Sequence, residues 1–365
     1  MIIRFSTIIT ALLLITDVRN ARILQITDVH LDNDYNTKGD PKRMCHRNAK
    51  YSGDLGQFGD YMCDSPKSLL EHLLEATAMI IPKPDLLLLT GDFTPHISYY
   101  NFDYVHKAIE IVTDFVQRYY KNTTVLPVMG NHDTAPPDSF PDHNGSTIYR
   151  IAYNLWKHWI GEQNMETFLN GGYYKYNWDE KAIIIVLNTN LYYRFNNASK
   201  EFSNETDPAG QFTFLTDTLR EAQETGKTAH IVAHIAPGVF EKTPYFTWLK
   251  PLYNQILINI TIKFAGTIGW MIFGHHHTDT FHIVTNSKME PVQVYLIAPS
   301  VTPWFSSLPG AGSLNPAFRI YHLDDHSQQL TDAVTYWIDL KQLNKDNSTP
   351  FTVEYSMQAA YDIGL

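Results

Sequence analysis

The sequence predicts a layered α/β domain. Short apolar runs typical of buried strands recur along the chain, and segments with the apolar spacing of helices separate them. The length of 365 residues is enough to bury one large α/β core, with at most a small appendage. Seven strands are expected, at residues 23–27, 86–90, 125–129, 183–188, 230–234, 270–274 and 294–298.

The clearest helix is predicted between the first two strands. Ser65 is expected to cap it, and Pro66 is expected at its first position, where proline is well tolerated. Its apolar side chains recur at core spacing, which indicates a buried face; they are Leu69, Leu70, Leu73 and Leu74. Towards the end of the chain, a strand is expected at residues 318–323 and a helix or strand at residues 334–340.

Polar signatures follow five of the predicted strands. The carboxyl ends of strands form the edge where open α/β sheets expose their functional loops, so these side chains are expected to meet. Carboxylate, amide and imidazole groups in this mix suit zinc, iron or manganese. The signatures are Asp28-Val29-His30, Gly91-Asp92, Gly130-Asn131-His132-Asp133, His234 and Gly274-His275-His276-His277.

This set of ligands is typical of a two-metal phosphoesterase site. Two divalent ions about 3.5–4 Å apart can bind a phosphoryl group and lower the pKa of a bridging water. Asp92 is the expected shared ligand, because a carboxylate has two oxygens and Gly91 lets the backbone turn sharply before it. We assign the first ion to Asp28, His30, Asp92 and His277, and the second ion to Asp92, Asn131, His234 and His275.

Strand alternation is expected to orient the side chains of the histidine run. It would point His275 and His277 to one face, as it would Asp28 and His30. His276 would then point away from the metals, either as an outer partner of the ligands or toward solvent. Asp279 is expected either to orient an imidazole or to be an exposed turn residue.

Each signature alone has an ordinary interpretation. A polar strand end explains Asp28 and His30, a turn explains Asp92, and a packed histidine explains His234. The histidines at residues 275–277 are also consistent with an adventitious metal-binding tract. Five such signatures at strand ends of one domain favour a shared site.

With these motifs the chain resembles a calcineurin-like metallophosphoesterase, and within that group an acid sphingomyelinase-like phosphodiesterase. The finer match depends on segments outside the ligands, at residues 90–96, 187–193, 207–208, 298–303 and 315–316. The resemblance implies a four-layer sandwich, in which two packed mixed β-sheets are flanked by helices, over residues 22–305. It also implies a C-terminal extension at residues 306–365 that packs on the core and is truncated relative to the family.

Two histidines are candidates for protonating the leaving alkoxide, which departs poorly without a proton. His132 directly follows a metal ligand, and the resemblance makes it the catalytic histidine of the family. His96 lies four residues after Asp92, where the subfamily has a second active-site histidine. A loop histidine without a role is the alternative for His96.

Composition and targeting signals indicate the secretory route. The formal net charge of −10 argues against a long nucleic acid as substrate.

Residues 1–21 are typical of a secretory signal peptide, with an apolar stretch at residues 8–15, although Arg19 leaves the cleavage site open. Six glycosylation sequons point the same way. They begin at Asn122, Asn144, Asn197, Asn204, Asn259 and Asn347.

Cys45 and Cys63 are the two cysteines of the chain. In an oxidising compartment they would pair and stabilise the loop between them. Two free thiols in a cytosolic protein are the alternative. The relatives place a cysteine pair in the matching loop, so the resemblance favours the disulfide.

The expected function is that of a secreted or lysosomal metal-dependent phosphodiesterase. It would hydrolyse small phosphodiesters or nucleotide phosphates by metal-activated hydroxide, with two divalent ions for which zinc is the expected metal. One alternative is cleavage of sphingomyelin to ceramide and phosphocholine, which would require recognition of phospholipid head groups. Phosphomonoester hydrolysis and a catalytically weak secreted binding protein are further alternatives. The complete set of seven ligand side chains favours the enzyme.

Overall fold

The computed structural model describes residues 20–51, 53–243, 245–308 and 311–362, and within them it contains twelve β-strands and eight α-helices. The strands are β1 (Asn20–Ile26), β2 (Leu86–Leu89), β3 (Val125–Pro127), β4 (Tyr174–Asn177), β5 (Ala182–Val186), β6 (Thr228–Val232), β7 (Ile268–Phe273), β8 (Thr280–Thr285), β9 (Pro291–Ile297), β10 (Ala317–Asp324), β11 (Leu330–Trp337) and β12 (Thr352–Ser356). The helices are α1 (Lys67–Ile80), α2 (Phe102–Tyr119), α3 (Thr147–Ile160), α4 (Met165–Gly171), α5 (Gln211–Glu224), α6 (Pro251–Lys263), α7 (Leu340–Asp346) and α8 (Met357–Tyr361).

The strands form two mixed sheets of six strands each. The first has the order β12-β11-β10-β1-β2-β3, in which β1, β2 and β3 are parallel and the other three are antiparallel. The second has the order β4-β5-β6-β7-β9-β8, with a parallel centre and an antiparallel strand at each edge. Helices flank both sheets, which confirms the expected fold class.

A buried amide joins the two sheets. Gln25 on β1 donates from Nε2 to the hydroxyl of Thr90, at 2.8 Å, and to the carbonyl of Phe273 on β7, at 2.9 Å. Its Oε1 accepts from the hydroxyl of Tyr321, at 2.7 Å. Because a buried amide is costly when its hydrogen bonds are unmet, this network favours one position of β7 against β1.

The predicted helix after the first strand is α1. Its leucines at positions 69, 70, 73 and 74 are fully buried, as expected. The predicted cap is wrong, because Pro66 occupies the N-cap position and the helix begins at Lys67. The hydroxyl of Ser65 is buried and has no hydrogen-bond partner in the described part of the chain.

Each of the seven predicted strands overlaps an observed one, but every observed strand ends one or two residues earlier than expected. For β1 and β2 the reason lies in the backbone beyond the strands. Asp28, His30 and Asp92 have φ of 51°, 43° and 57°, which ends the extended conformation before the polar residues begin. Three strands were not predicted: β4, β8 and β12 are partly exposed edge strands and lack a continuous apolar run.

The last strands complete the first sheet. Residues 319–324 of β10 pair with residues 20–25 of β1, and Ala21 of the predicted signal peptide is opposite Leu323. Residues 1–19 of that predicted peptide lie outside the described residues. The segment expected to be a helix or strand at residues 334–340 is strand β11 as far as Trp337. Among the described residues, no helix is both long and apolar enough to cross a membrane.

Candidate metal centre

The predicted metal ligands meet at the carboxyl ends of β1, β2, β3, β6 and β7. Asp92 lies at the centre of the cluster and is buried. Its Oδ2 is 3.4 Å from Nε2 of His30 and 3.2 Å from Nε2 of His234. One carboxylate oxygen therefore faces an imidazole of each predicted ligand group, as a shared ligand requires.

The first ligand group is held tightly together. Nε2 of His277 lies 3.2 Å from Nε2 of His30 and 3.5 Å from Oδ1 of Asp28. Oδ1 of Asp28 is also 4.0 Å from Nε2 of both His30 and His234. The carboxylate of Asp28 thus lies between the two groups, although the sequence assigned it to the first alone.

The second ligand group surrounds His234. Its Nε2 lies 3.1 Å from Oδ1 of Asn131, and ligand atoms of Asp92, His234 and His275 lie within 4.8 Å of one another. Nε2 of His275 is buried and has no hydrogen-bond partner among the described residues. A carboxylate and two imidazoles that offer ligand atoms this close together fit a metal ion.

Outer contacts orient the ligand atoms. Nδ1 of His30 lies 2.8 Å from the carbonyl of Thr94, and Nδ1 of His234 lies 2.7 Å from the carbonyl of Thr90. A carbonyl accepts only from a protonated nitrogen, so each Nε2 is left with its lone pair toward the cluster. The amide of Asn131 donates from Nδ2 to Asp138, at 2.9 Å, which leaves its Oδ1 facing the site.

The ligand loops adopt an unusual backbone. Five of the seven ligands have a left-handed φ: they are Asp28, His30, Asp92, His275 and His277. Strand alternation is therefore not what brings the paired ligands together, since all five lie beyond the strand ends. Such strained positions are typical of functional sites. Gly91 has φ of +93°, as its predicted turn requires, and a Cβ at Gly130 would lie 2.2 Å from Oδ1 of Asp92.

Asp133 holds these loops together, a role that the sequence did not reveal. Its buried carboxylate accepts backbone N–H bonds from residues 92, 93, 94 and 130 at 2.7–3.1 Å. The signal was present, because a buried aspartate that follows a glycine-led turn is a good acceptor for the unpaired amides of nearby loops.

Burial and charge shift the pKa values of the ligands in both directions. Burial lowers the pKa of His30 and His275 well below the ordinary value, and that of His277 to about 4, so these imidazoles are neutral donors. Burial alone would raise the pKa of Asp92, but His234 and other imidazoles outweigh it and hold this pKa well below its usual range. Although burial opposes this, Asp92 raises the pKa of His234 to about 9, and burial raises the pKa of Asp28. Since neutral imidazole and ionised carboxylate are the ligand forms, a metal ion would displace the proton from His234.

Both candidate catalytic histidines lie beside the cluster. The ring centroids of His96 and His132 are 4.5 Å apart. The backbone N–H of His132 donates to Oδ1 of Asp92, at 2.8 Å, and its Nδ1 has no hydrogen-bond partner among the described residues. His96 is also 3.8 Å from the ring of His30. His96 is thus a loop residue whose ring lies against the cluster, and its catalytic role stays a prediction.

Asp64 orients His96, and the sequence did not reveal this either. Its carboxylate lies 2.9 Å from Nδ1 of His96 and accepts the backbone N–H of His96, at 2.6 Å. The hydroxyl of Thr302 donates to the same carboxylate, at 2.9 Å. Trp304 stacks on the other side of the imidazole, with centroids 3.8 Å apart. A signal in the sequence was that Asp64 directly follows Cys63, one of the two cysteines expected to form a disulfide.

The site opens into a cavity of about 190 Å³. Aromatic side chains form much of its wall, together with the ligand and catalytic side chains at its base. The aromatic residues are Tyr193, Phe240, Trp248 and Trp304. A wider groove of about 970 Å³ begins on the other side of His96.

The predictions for His276 and for Asp279, which follows the histidine run, need correction. His276 contacts Glu241, which is not one of the predicted ligands, with Nδ1 3.0 Å from its Oε2. The solvent-facing alternative is wrong, because only 5% of His276 is exposed. Both alternatives for Asp279 are wrong: it pairs with the buried guanidinium of Arg319 and accepts hydrogen bonds from Thr335 and Tyr355.

The structure also shows the positions of the two cysteines and of the sequon asparagines, which bear on secretion. Cys45 and Cys63 form a disulfide with a Cα–Cα distance of 5.8 Å. The asparagine of every predicted sequon is exposed, which glycosylation requires. These asparagines are Asn122, Asn144, Asn197, Asn204, Asn259 and Asn347.

Comparison with known proteins places the chain in a family. A model described as calcineurin-like phosphoesterase matches residues 21–279, and one described as acid sphingomyelin phosphodiesterase C-terminal region matches residues 290–364. Acid sphingomyelinase-like phosphodiesterase 3b of Homo sapiens is 36% identical over 350 residues, covering 93% of this chain and 75% of the relative. The chain belongs to the calcineurin-like phosphoesterases. Within them it falls in the acid sphingomyelinase-like branch.

Two further relatives have names that specify substrates. Cyclic GMP-AMP phosphodiesterase SMPDL3A of Homo sapiens is 32% identical over 343 residues, covering 93% of this chain and 75% of the relative. Sphingomyelinase phosphodiesterase C of Dictyostelium discoideum is 31% identical over 365 residues, covering 96% of this chain and 80% of the relative. Family membership confirms the predicted class of enzyme, a phosphoric diester hydrolase. The family uses a binuclear metal centre, and the donor set described above fits one.

Proposed function

We propose that this phosphodiesterase acts on small soluble diesters, foremost nucleotide diesters, with a pair of zinc ions and outside the cytosol. The observation that carries the substrate class is the aromatic wall of the cavity beside the ligand cluster. A flat aromatic face such as that of Trp304, which is partly exposed, suits a nucleobase, which stacks on it. A relative that is named a cyclic GMP-AMP phosphodiesterase agrees with this choice.

The ligand cluster supplies the means of attack. Asp28, His30 and His277 would hold one ion, Asn131, His234 and His275 the other, and Asp92 both. Two bound ions would supply Lewis acidity toward the phosphoryl oxygens and an acidified water. Zinc is proposed because imidazole and carboxylate side chains are common zinc ligands.

The two histidines beside the cluster would handle the leaving group. A departing alkoxide needs a proton, and His132 and His96 both border the cavity. Asp64 binds Nδ1 of His96, so Nε2 is the atom left for the substrate. Trp304 restricts rotation of the ring by stacking on it. Asp64 thus acts as a positioning residue for His96.

The compartment is proposed from two features. A disulfide closes the loop between Cys45 and Cys63, and disulfides persist in oxidising compartments. Six exposed sequon asparagines are available to the glycosylation machinery of the secretory route. Secretion or delivery to lysosomes is compatible with both features.

A second substrate class is favoured by the rim of the cavity. Phe305 and Leu308 are 41% and 40% exposed, and Leu308 lines the cavity. Exposed apolar side chains at a mouth can contact an acyl chain. Sphingomyelin is therefore the second candidate, in line with the name of the Dictyostelium relative.

The test is hydrolysis of an aryl phosphodiester by glycosylated protein, with bound metal counted on the same sample. We expect no fewer than about two metals per chain, and we expect activity to be lost on chelation and restored by zinc. A cyclic dinucleotide and sphingomyelin in mixed micelles are then compared by kcat/KM. Faster cleavage of sphingomyelin would replace the proposed substrate class with the second. Metal-free, inactive protein would point to the weakly catalytic binding protein instead.

A further inference from the structure

Three potential metal ligands outside the catalytic cluster gather beside the cavity. Glu241 belongs to the loop at residues 237–249, His276 to the turn after β7, and His282 to β8. Each offers one ligand atom, and these three atoms lie within 4.8 Å of one another. Two imidazoles and one carboxylate form a donor set that is common at zinc sites.

His282 is prepared as a ligand by a contact on its other nitrogen. Nδ1 lies 3.0 Å from the carbonyl of Pro237, which fixes the hydrogen on Nδ1 and leaves the lone pair on Nε2. That Nε2 is buried and has no hydrogen-bond partner within the described residues. A histidine that donates to a carbonyl through one nitrogen and is free at the other is typical of metal sites.

The glycine at position 238 allows this contact. Gly238 has φ of +112°, and a Cβ there would lie 2.7 Å from Nδ1 of His282. A side chain at this position would therefore push the imidazole away from the loop. The loop and β8 therefore bring the side chains of Glu241 and His282 close together.

Glu241 and His276 are oriented as a pair. The hydroxyl of Thr278 donates to Oε1 of Glu241, at 2.6 Å, so Oε2 faces the imidazole of His276. Nε2 of His276 is buried and, like that of His282, has no hydrogen-bond partner among the described residues. Leaving a buried polar atom unpaired is destabilising, and a cation bound at Nε2 of His282 would remove that cost.

We propose that Glu241, His276 and His282 bind a third divalent ion of the zinc type, separate from the catalytic pair. The ion fastens the loop at residues 237–249 to the second sheet. Since this loop carries Phe240 and Trp248 of the cavity wall, the ion sets the width of the substrate cavity. It takes no part in the chemical step.

The test counts zinc per chain after dialysis of the protein against a buffered zinc solution. Wild type and the control His158→Gln, whose imidazole is on the exposed part of α3, are expected to hold one zinc more than His282→Gln and Glu241→Gln. Asp92→Asn, which disrupts the catalytic pair, is expected to keep the third ion, and Asp92→Asn/His282→Gln to lose it. The comparison therefore does not depend on occupancy of the catalytic pair.

A second measurement follows the loop itself. Tyr245 is 97% exposed, so chymotrypsin has access to it. We expect cleavage there to be slow in zinc-loaded wild type, and faster in His282→Gln and Glu241→Gln. Equal zinc counts in wild type and both variants would overturn the proposal. If His282→Gln fails to fold, Glu241→Gln decides, because the side chain of Glu241 is 22% exposed.

Discussion

Asp92 shows what a single side chain does at this site. One oxygen faces His30 and His234, and the other accepts the backbone N–H of His132. Asp92→Asn would remove the negative charge and could turn N–H donors toward the imidazoles. We expect loss of both catalytic ions and a roughly 100-fold or larger fall in kcat for an aryl diester.

The measurement is metal content and turnover on one preparation of each protein. Asp54→Asn is the matched control, because Asp54 forms an exposed ion pair with Lys38 at 2.8 Å. The control should keep the metal content and turnover of wild type. An Asp92→Asn protein with normal metal content and turnover would contradict the role of Asp92 as the shared ligand.

The proposed proton donors predict a dependence on the leaving group. An alkoxide needs protonation, whereas a nitrophenolate departs without it, so His132→Ala should reduce alkyl diester cleavage by about 10²–10⁴-fold and nitrophenyl diester cleavage far less. His96→Ala should show the same pattern, and Asp64→Asn a weaker form of it. The measurement is kcat on the two diesters. Equal losses on both would show that these histidines serve binding or metal retention rather than proton transfer.

At the level of elements, the loop closed by Cys45 and Cys63 supports both stability and the site. The cysteines are 18 residues apart, and the disulfide ends next to Asp64. In the chain-entropy model, a loop of this size stabilises the fold by about 3 kcal/mol. Cys45→Ser/Cys63→Ser should lower the melting temperature and, by loosening Asp64, reproduce part of the leaving-group dependence of Asp64→Asn. An unchanged melting temperature would contradict the stabilising role of the disulfide. An unchanged ratio of alkyl to nitrophenyl diester cleavage would contradict its effect on Asp64.

The same loop predicts a pH dependence of stability. His46 is hydrogen-bonded to Asp32, with Nε2 2.7 Å from Oδ2, which raises the pKa of His46 above its ordinary value of 6.5 although burial opposes this. The folded state thus favours the protonated imidazole. Its stabilisation is complete below about pH 6.5 and is lost as the pH rises through the higher folded value.

His46→Gln measures this contribution. The side chain is partly exposed, so we expect wild type to melt only on the order of 1–2 °C above the variant near pH 5. This difference should shrink toward pH 9. A difference that grows with pH would show that the sign is wrong. Thermal scans in matched buffers of constant ionic strength provide the measurement.

The elements also show where sequence reasoning succeeds and where it stops. Strands buried on both faces, such as β2 with four leucines, are visible as apolar runs, and the polar residues after them mark the site. Edge strands such as β8 are partly exposed and carry no such run. Asp64 and Asp133 were missed because their importance lies in the backbone amides and the imidazole that folding brings to them. The local signals beside them, a cysteine before Asp64 and a glycine-led turn before Asp133, do not identify those partners.

At the scale of the whole molecule, the C-terminal segment is part of the first sheet. β10 pairs with β1, and it carries Tyr321, which hydrogen-bonds to Gln25 between the sheets. It also carries the buried Arg319, which pairs with Asp279 two residues after a metal ligand. Periodicity alone could not reveal this arrangement, because pairing between distant strands leaves no trace in local spacing.

This topology predicts that residues 22–305, the span expected for the phosphoesterase domain, do not fold alone. Without β10, the buried strand β1 becomes an edge, and both Gln25 and Asp279 lose a buried partner. We expect this fragment to be insoluble or to lack a cooperative thermal transition, whereas residues 20–362 should be monodisperse and unfold cooperatively. Gel filtration and circular dichroism on the two proteins provide the measurement. A soluble fragment with a sharp transition would mean that β10–β12 are an accessory layer, and the first sheet would then be specified by its parallel half.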